Sequence, residues 1–277
     1  MTVTAFPHRS VDPILSVRGL SVRHGRRDTV RDVSFDLRAG ETVALVGGSG
    51  AGKSTVAKAI AGLVTPHDGS AVLDRLDPAL ERVDLLAATR SDRRAARRSV
   101  HLVMQDPYAS LPPHRRILDI VTEPLAIHRI GARTDREELA RAALASVGLD
   151  PERYARRLPR ELSGGERQRV AFSRAIVTRP AVILADEPTG MLDATLRADV
   201  SQLMSDLARE HGTAILHITH DLALAAGTCD RVIVMSDGTI VEEGATAAVL
   251  RDPQHPTTRN LLEAALRGSR HVRPAVA

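Results

Sequence analysis

Eight consecutive residues, Gly47-Gly48-Ser49-Gly50-Ala51-Gly52-Lys53-Ser54, constrain this chain more than any other feature. They satisfy G-x-x-x-x-G-K-[ST] at every position, between a β-branched run, Thr42–Val46, and a helix-like segment, Lys53–Leu63. Glycines let successive backbone N–H groups converge on phosphate oxygens, which a Cβ would obstruct. The helix that follows points the positive end of its dipole at the same anion. The expected ligands are therefore a nucleoside triphosphate and Mg²⁺. Gly47, Gly48, Ser49, Gly50, Ala51 and Gly52 form the cradle, and Lys53 reaches the β- and γ-phosphates. The Ser54 hydroxyl is the candidate metal ligand, with Thr55 beside it on the helix.

Lys53 is also rare by composition. Of 38 basic residues only Lys53 and Lys58 are lysine, and the other 36 are arginine, a bias that GC-rich coding alone would produce. Lys58 falls on a solvated helix position. Against 34 acids the net charge is 38 − 34 = +4, mild for 277 residues, so charge gives no support to nucleic-acid binding. Aromatics at 2% argue against a stacking platform for single strands. Hydrophobics at 43% and charges at 26% describe a globular chain. One cysteine, Cys229, excludes an internal disulfide framework, and its default is a buried structural thiol. No apolar run approaches a bilayer span, and Met1 to Ser10 hold no apolar core of a secretory leader.

Strand and helix patterns alternate along the chain. Ile14–Val17 and Val33–Leu37 alternate as half-buried strands. Asp135–Val147 and Ala194–Glu210 read as helices, and Ala181–Ala185, Ala214–Ile218 and Val232–Met235 as strands. Pro107, Pro112, Pro113 and Pro124 break the region between the two α/β blocks. The expected division is an α/β core over residues 11–104 and 163–250, a mainly helical insertion over 105–162, and a C-terminal tail over 251–277. Residues 1–10 and 267–277 are expected to be frayed ends.

The apolar strand ending in Asp186-Glu187 supplies the second half of a phosphoryl-transfer site. A strand buried on both faces must hold its carboxylates at its tip. Asp186 is the candidate Mg²⁺ holder and Glu187 the candidate general base for an attacking water. His217 and His220 stand three apart on an extended strand and face opposite sides, so a shared ion is not expected. Arg90, Arg93, Arg94, Arg97 and Arg98 read first as a solvated helix face, then as contacts to anionic headgroups or acidic partners.

Leu162-Ser163-Gly164-Gly165-Glu166-Arg167-Gln168 resembles the signature motif of ABC transporter ATPases, and the other family motifs follow in order from Ile14 to Leu262. Gln105 matches the Q-loop, Met191-Leu192-Asp193 the D-loop, and His220 the switch histidine. The resemblance implies a P-loop NTPase core of ABC type with an inserted helical subdomain and an N-terminal antiparallel β region. It also implies two such chains, the same or homologous, sandwiching ATP between the phosphate loop of one and Ser163, Gly164, Gly165 and Asp193 of the other. Glu187, His220 and Gln105 are the implied catalytic set, and Ser54, Gln105 and Asp186 the implied Mg²⁺ set. His24 stands where the family places an aromatic ring against adenine. The implied partners are two transmembrane permease subunits and, indirectly, a solute-binding protein, at the cytoplasmic face of the membrane.

Gln105-Asp106-Pro107-Tyr108-Ala109-Ser110-Leu111 and His255-Pro256-Thr257-Thr258-Arg259-Asn260-Leu261-Leu262 resemble the oligopeptide, dipeptide and nickel importer branch. Gly190-Met191 stands where small Ser-Ala-like residues are common, and Pro112 where asparagine is usual. The alternative expectation is a soluble ATPase accessory to an enzyme complex of the carbon–phosphorus lyase type, and an exporter ATPase is a third.

Overall fold

A computed structural model describes residues 12–74, 82–87, 98–106 and 110–270. The arginines from Arg90 to Arg97, the Pro107-Tyr108-Ala109 stretch and the segments 1–11 and 271–277 lie outside the described residues.

The centre is a run wholly removed from water: β3, Thr42–Gly47, has every residue buried. It sits between two parallel neighbours, β8 (Ala214–Thr219) and β9 (Arg231–Ser236). Next to β8 come β7 (Val182–Asp186) and then β6 (Val100–Val103), both parallel. β10 (Thr239–Ala245) closes the far edge antiparallel to β9, giving the order β10-β9-β3-β8-β7-β6. Strands covered on both faces need no polar alternation, which is why β3, β7 and β8 read as mainly apolar runs, broken within β8 only by the buried His217.

A second, antiparallel sheet has the order β2-β1-β4-β5, with β1 at Leu15–His24, β2 at Arg27–Leu37, β4 at Asp68–Leu73 and β5 at Val83–Asp84. The first two strands are far longer than the alternation of Ile14–Val17 and Val33–Leu37 implies. The ladder has register shifts between Val17 and Leu20 and again beyond. At Gly19 the backbone turns left-handed, φ 61°, so the period of two breaks while the strand continues. Helix α1 (Lys53–Ile60) lies in the apolar cluster between this sheet and the parallel one, with Val56, Ala59 and Ile60 inward.

The other face of the parallel sheet carries helices: α2 (Ile117–Ile127), α3 (Arg133–Ser146), the single turn α4 (Pro151–Tyr154), a 3₁₀ turn at Pro159–Glu161, and α5 (Gly164–Ile176). Val121, Leu144 and Phe172 from three of these helices share one buried cluster with α6 (Ala194–His211). Pro124 does not break the chain as the sequence pattern suggested, and sits inside α2. Proline in a helix interior costs about 3 kcal/mol. Ile117, Ile120, Val121 and Leu125 are fully buried on the same helix, and each contributes roughly 1.5–3 kcal/mol. Burial outweighs the missing hydrogen bond.

The C-terminal segment also departs from expectation. After α7 (Leu222–Thr228) and α8 (Thr246–Arg251), residues Pro256–Arg270 form α9, so the frayed end expected from residue 267 is helical as far as Arg270. Leu261 and Leu262 pack on the cluster of β3 and β9. Glu242 of β10 pins the helix start, accepting from the Gln254 and His255 backbone N–H groups and from the Thr258 hydroxyl. Replacing Glu242 by alanine removes two acceptor oxygens and three hydrogen bonds, two of them partly buried, at a cost of about 1–3 kcal/mol for this contact. Hydrogen exchange across 254–266 is expected to accelerate while the β3 amides stay protected. Unchanged exchange there would show that the apolar contacts alone hold α9.

Candidate functional site

The phosphate loop follows β3 and is held by two close approaches. A Cβ on Gly47 would stand 2.4 Å from Met235 O, and one on Gly52, whose φ is 99°, would stand 2.6 Å from Thr29 O. Only glycine lets the loop nest between β9 and β2. Lys53 is 6% exposed, and its Nζ donates to Gly47 O at 2.9 Å and Gly48 O at 3.0 Å. Burial lowers the Lys53 pKa, while the charges of Glu187 and Asp186 pull it back up. The ammonium is thus folded onto the loop's own carbonyls, in position to turn toward an anion in the cradle.

Asp186 ends β7, is 8% exposed, and its Oδ1 accepts from the Ser54 hydroxyl at 2.7 Å. This pair of hard oxygens at the loop's edge suits a Mg²⁺ site, since that ion prefers carboxylate, hydroxyl and water ligands. Glu187 is the next residue and adopts a left-handed backbone, φ 46°. Its N–H donates to Ile218 O and its carbonyl accepts from Gly190 N, both at 3.0 Å. The carboxylate then faces two polar groups. Oε2 accepts from Gln105 Nε2 at 3.2 Å, and Oε1 lies 3.6 Å from His220 Nδ1. Gln105 follows the end of β6 and His220 the end of β8. A Cβ at Gly190 would come to 3.2 Å from Gln105 Nε2, so the glycine of the Gly190-Met191 pair lies close against the tip of the Gln105 side chain.

Ser49 to Thr55 and Glu187 face one cleft of about 840 Å³, lined also by Asp237 and Gly238 and on its far wall by Arg26 to Thr29 and Arg31. Asp186, Gln105 and His220 are not among its lining residues, and His220 lines a small adjoining pocket with Glu187. His24, the candidate base-stacking group, ends β1 beside the Gly25 turn and is not among the lining residues. β1 ends at His24, the chain reverses at Gly25, φ 60°, and it is β2 that runs back along the loop, with Thr29 O against Gly52. The arginines of that turn went unread in the sequence, where they looked like more of the general arginine excess.

Ser163, Gly164, Gly165 and Asp193 do not line this cleft. Ser163 caps α5: its Oγ accepts from Glu166 N at 3.3 Å, and Glu166 Oε2 accepts from Ser163 N at 2.8 Å. Tyr154 was missed from sequence, and its hydroxyl donates to the other Glu166 oxygen at 2.5 Å. The guanidinium groups of Arg153 and Arg157 lie 5.2 and 4.9 Å from its ring centre. Asp193 caps α6 by accepting from Leu196 N at 3.0 Å. His217 is fully buried with Nδ1 3.9 Å from Cys229 Sγ, and His220 is exposed. Burial pushes His217 down to about 4 and the Cys229 thiol up to about 12, so both are neutral and inert at pH 7.

Comparison with known proteins follows the same lines. A sequence model described as ABC transporter matches residues 30–190. The glutathione import ATP-binding protein GsiA of Escherichia coli O157:H7 is 42% identical over 266 residues, covering 91% of this chain and 41% of that protein. GsiA of Salmonella typhi is 41% identical over 264 residues, with the same coverage. The chain thus spans about two-fifths of the length of these relatives. Among solved structures, the dimeric MJ0796 bacterial ABC transporter cassette superposes with a TM-score of 0.70 at 29% identity, covering 84% of this chain and 98% of that one. The cbiO1 subunit from Clostridium perfringens, part of the cbiONQ transporter complex, gives 0.77 at 25% identity over 94% of this chain and 98% of that one.

The Tyr154 hydroxyl, followed by the Ser163 amide and hydroxyl, holds the Glu166 carboxyl below the ordinary glutamate range against the opposing effect of burial. A depressed carboxylate contributes stability above its unfolded pKa and loses it as pH falls through the folded value. Tyr154→Phe is therefore expected to lower unfolding free energy at pH 7 by about 0.5–1.5 kcal/mol. The gap should close in denaturation curves taken below the glutamate range, and a gap independent of pH would dissociate Tyr154 from the Glu166 charge.

Proposed function

This chain belongs to the ABC transporter family of ATPases, and from that premise we propose that it energises an importer for peptides or nickel-type small solutes, from the cytoplasmic face of a membrane. Relatives named for the import of glutathione, itself a short peptide, support the direction and the solute class. So do the branch-like segments from Gln105 and from His255.

The observation that carries the catalytic half is the convergence on Glu187. In the proposed mechanism the triphosphate lies on the amides of Gly48 to Ser54. The Lys53 ammonium exchanges its two carbonyl acceptors for β- and γ-phosphate oxygens. Ser54 and Asp186, with Gln105 nearby, would hold Mg²⁺, whose charge offsets that of the phosphate oxygens. Glu187 accepts the proton of a water aimed at the γ-phosphorus, while His220 and Gln105 fix the carboxylate on either side. The products are ADP and phosphate, with no covalent intermediate; positioning and electrostatics supply the acceleration.

The cleft is open, and the capped N-terminus of α5 lies outside it. That supports a reading in which Ser163, Gly164, Gly165 and Asp193 close the cleft of a second cassette, identical or homologous, with α5 presenting its amides to the γ-phosphate. ATP then bridges two chains, and hydrolysis breaks the bridge.

Coupling to permease subunits has its own candidate surface. A groove of about 430 Å³ between the end of α1 and the helical face is lined by Leu63, Met104, Leu111, Pro124 and Ile127. Leu63, Met104 and Ile127 are 61%, 49% and 59% exposed, an unusual amount of large apolar surface. His101 in its wall carries no charge, because burial pushes its pKa down to about 4. Such a groove suits an amphipathic helix from a membrane subunit. Met104 immediately precedes Gln105, so movement in the groove reaches the Glu187 carboxylate through one residue.

Glu187→Gln is expected to keep ATP bound and to lower kcat by at least about a hundredfold. Wild-type turnover would remove Glu187 from the base role. The paired change Leu63→Asp/Ile127→Asp should leave basal ATPase activity intact and abolish co-purification with membrane subunits. A complex that survives the pair would place the permease elsewhere, and one isolated with soluble enzymes would overturn import.

A further inference from the structure

Glu187 is carried by a short segment that links β7 to α6 and is neither helix nor strand. A relay of hydrogen bonds holds it. Gly190 N donates to Glu187 O at 3.0 Å and Leu192 N to Thr189 O at 3.1 Å, so two overlapping β-turns follow the carboxylate. The relay ends on a side chain: Arg197 Nε donates to Leu192 O at 2.8 Å. Arg197 stands in the first turn of α6, whose start is fixed by Asp193 accepting from Leu196 N. This helix of 18 residues is packed through Val200, Met204 and Leu207 and makes a rigid mount.

Among the described residues Arg197 forms no ion pair, and its Nη groups donate no hydrogen bond. The side chain is partly buried and lines a small pocket with Glu187, Thr189, Gly190 and His220. Its one polar contact is thus a main-chain carbonyl five residues beyond the carboxylate it stands beside. Leu192 is held independently of that bond. It is buried, and its Cδ2 lies 3.3 Å from where a Cβ on Gly164 would stand. The apolar contact survives loss of the arginine, whereas the carbonyl, and with it the setting of the turns, is released.

A glutamate in the left-handed region stays there only while its surroundings over-determine it. We propose that Arg197 is a positioning residue for hydrolysis: by fixing the Leu192 carbonyl to α6 it holds the turns that carry the Glu187 carboxylate between Gln105 and His220. Those neighbours, at 3.2 and 3.6 Å, leave the carboxylate a narrow place. A displacement of about 1 Å from such a place costs up to roughly a hundredfold in rate. Substrate affinity is not involved, since residues 188–193 do not line the phosphate cleft. This rests on the reading of Glu187 as the base, and adds the residue that aims it.

The test is steady-state ATP hydrolysis by the full chain with Mg²⁺, beside calorimetric binding of the β,γ-imido analogue of ATP. Arg197→Met keeps the apolar stem and removes the donor. It is expected to lower kcat by about tenfold, with KM and analogue affinity within about twofold of wild type. Arg197→Lys, whose ammonium can donate to the same carbonyl, should recover kcat to within about threefold. In the Glu187→Gln background, Arg197→Met should cost no more than about twofold further, because its effect passes through the missing carboxylate. Wild-type kcat in Arg197→Met would overturn the proposal. So would an about tenfold loss that persists in the Glu187→Gln background, or a lysine variant no better than the methionine one. A methionine variant that loses ATP affinity or its cooperative thermal transition would make Arg197 a structural residue, and overturns the proposal equally. Wild-type turnover in Glu187→Gln alone rejects the base reading itself, separately from any result at Arg197.

Discussion

The parallel pairing of β3, β8, β7 and β6 is the constraint on which the chemistry depends. Parallel strands end on the same side, so four separate stretches of sequence deliver their next residues to one edge. β3 runs into the phosphate loop, β7 into Asp186 and Glu187, β8 into His220, and β6 into Gln105. The register is tight: Val46 pairs with Thr219, Asp186 with Ile218, and Val103 with Ala185. A slip of one residue in any pairing would exchange side chains between the two packed faces and shift the residues at the strand tips, so packing of the core and alignment of the site are specified together.

Glu187 shows what this frame can enforce. A glutamate with φ 46° occupies a region that costs on the order of 1–3 kcal/mol for a residue with a Cβ. Its N–H is tied to β8 and its carbonyl to Gly190, and Gly190 in turn leaves room for Gln105. The strained backbone carries the carboxylate to a point between Gln105 and His220, which a relaxed strand continuation would not reach.

A second principle governs the helical face. There the signature residues are organised by capping: Ser163 and Glu166 satisfy one another's amides, with Tyr154 bracing the carboxylate. The result is a rigidly capped α5 N-terminus that lies outside this chain's cleft. The groove beside Leu63 and Ile127 follows neither rule, and leaves large apolar side chains exposed.

The sequence by itself determined the chemistry that depends on consecutive residues. The loop from Gly47 to Ser54, the Asp186-Glu187 tip and the Ser163–Glu166 capping box are local devices, in which spacing alone sets the geometry. Long apolar strands such as Val182–Asp186 were legible for the same reason, within a residue at each end. Elements held by distant partners were not. Bulges hid most of the β1–β2 hairpin, fully buried neighbours overrode Pro124 in α2, and Glu242, twelve or more residues away, anchors α9. Only the tertiary structure decided which arginines of thirty-six face the nucleotide cleft. Local spacing carries no information about where a hairpin turns back in space, and Arg26 and Arg27 reach the cleft because β2 packs its backbone on the glycines of the loop.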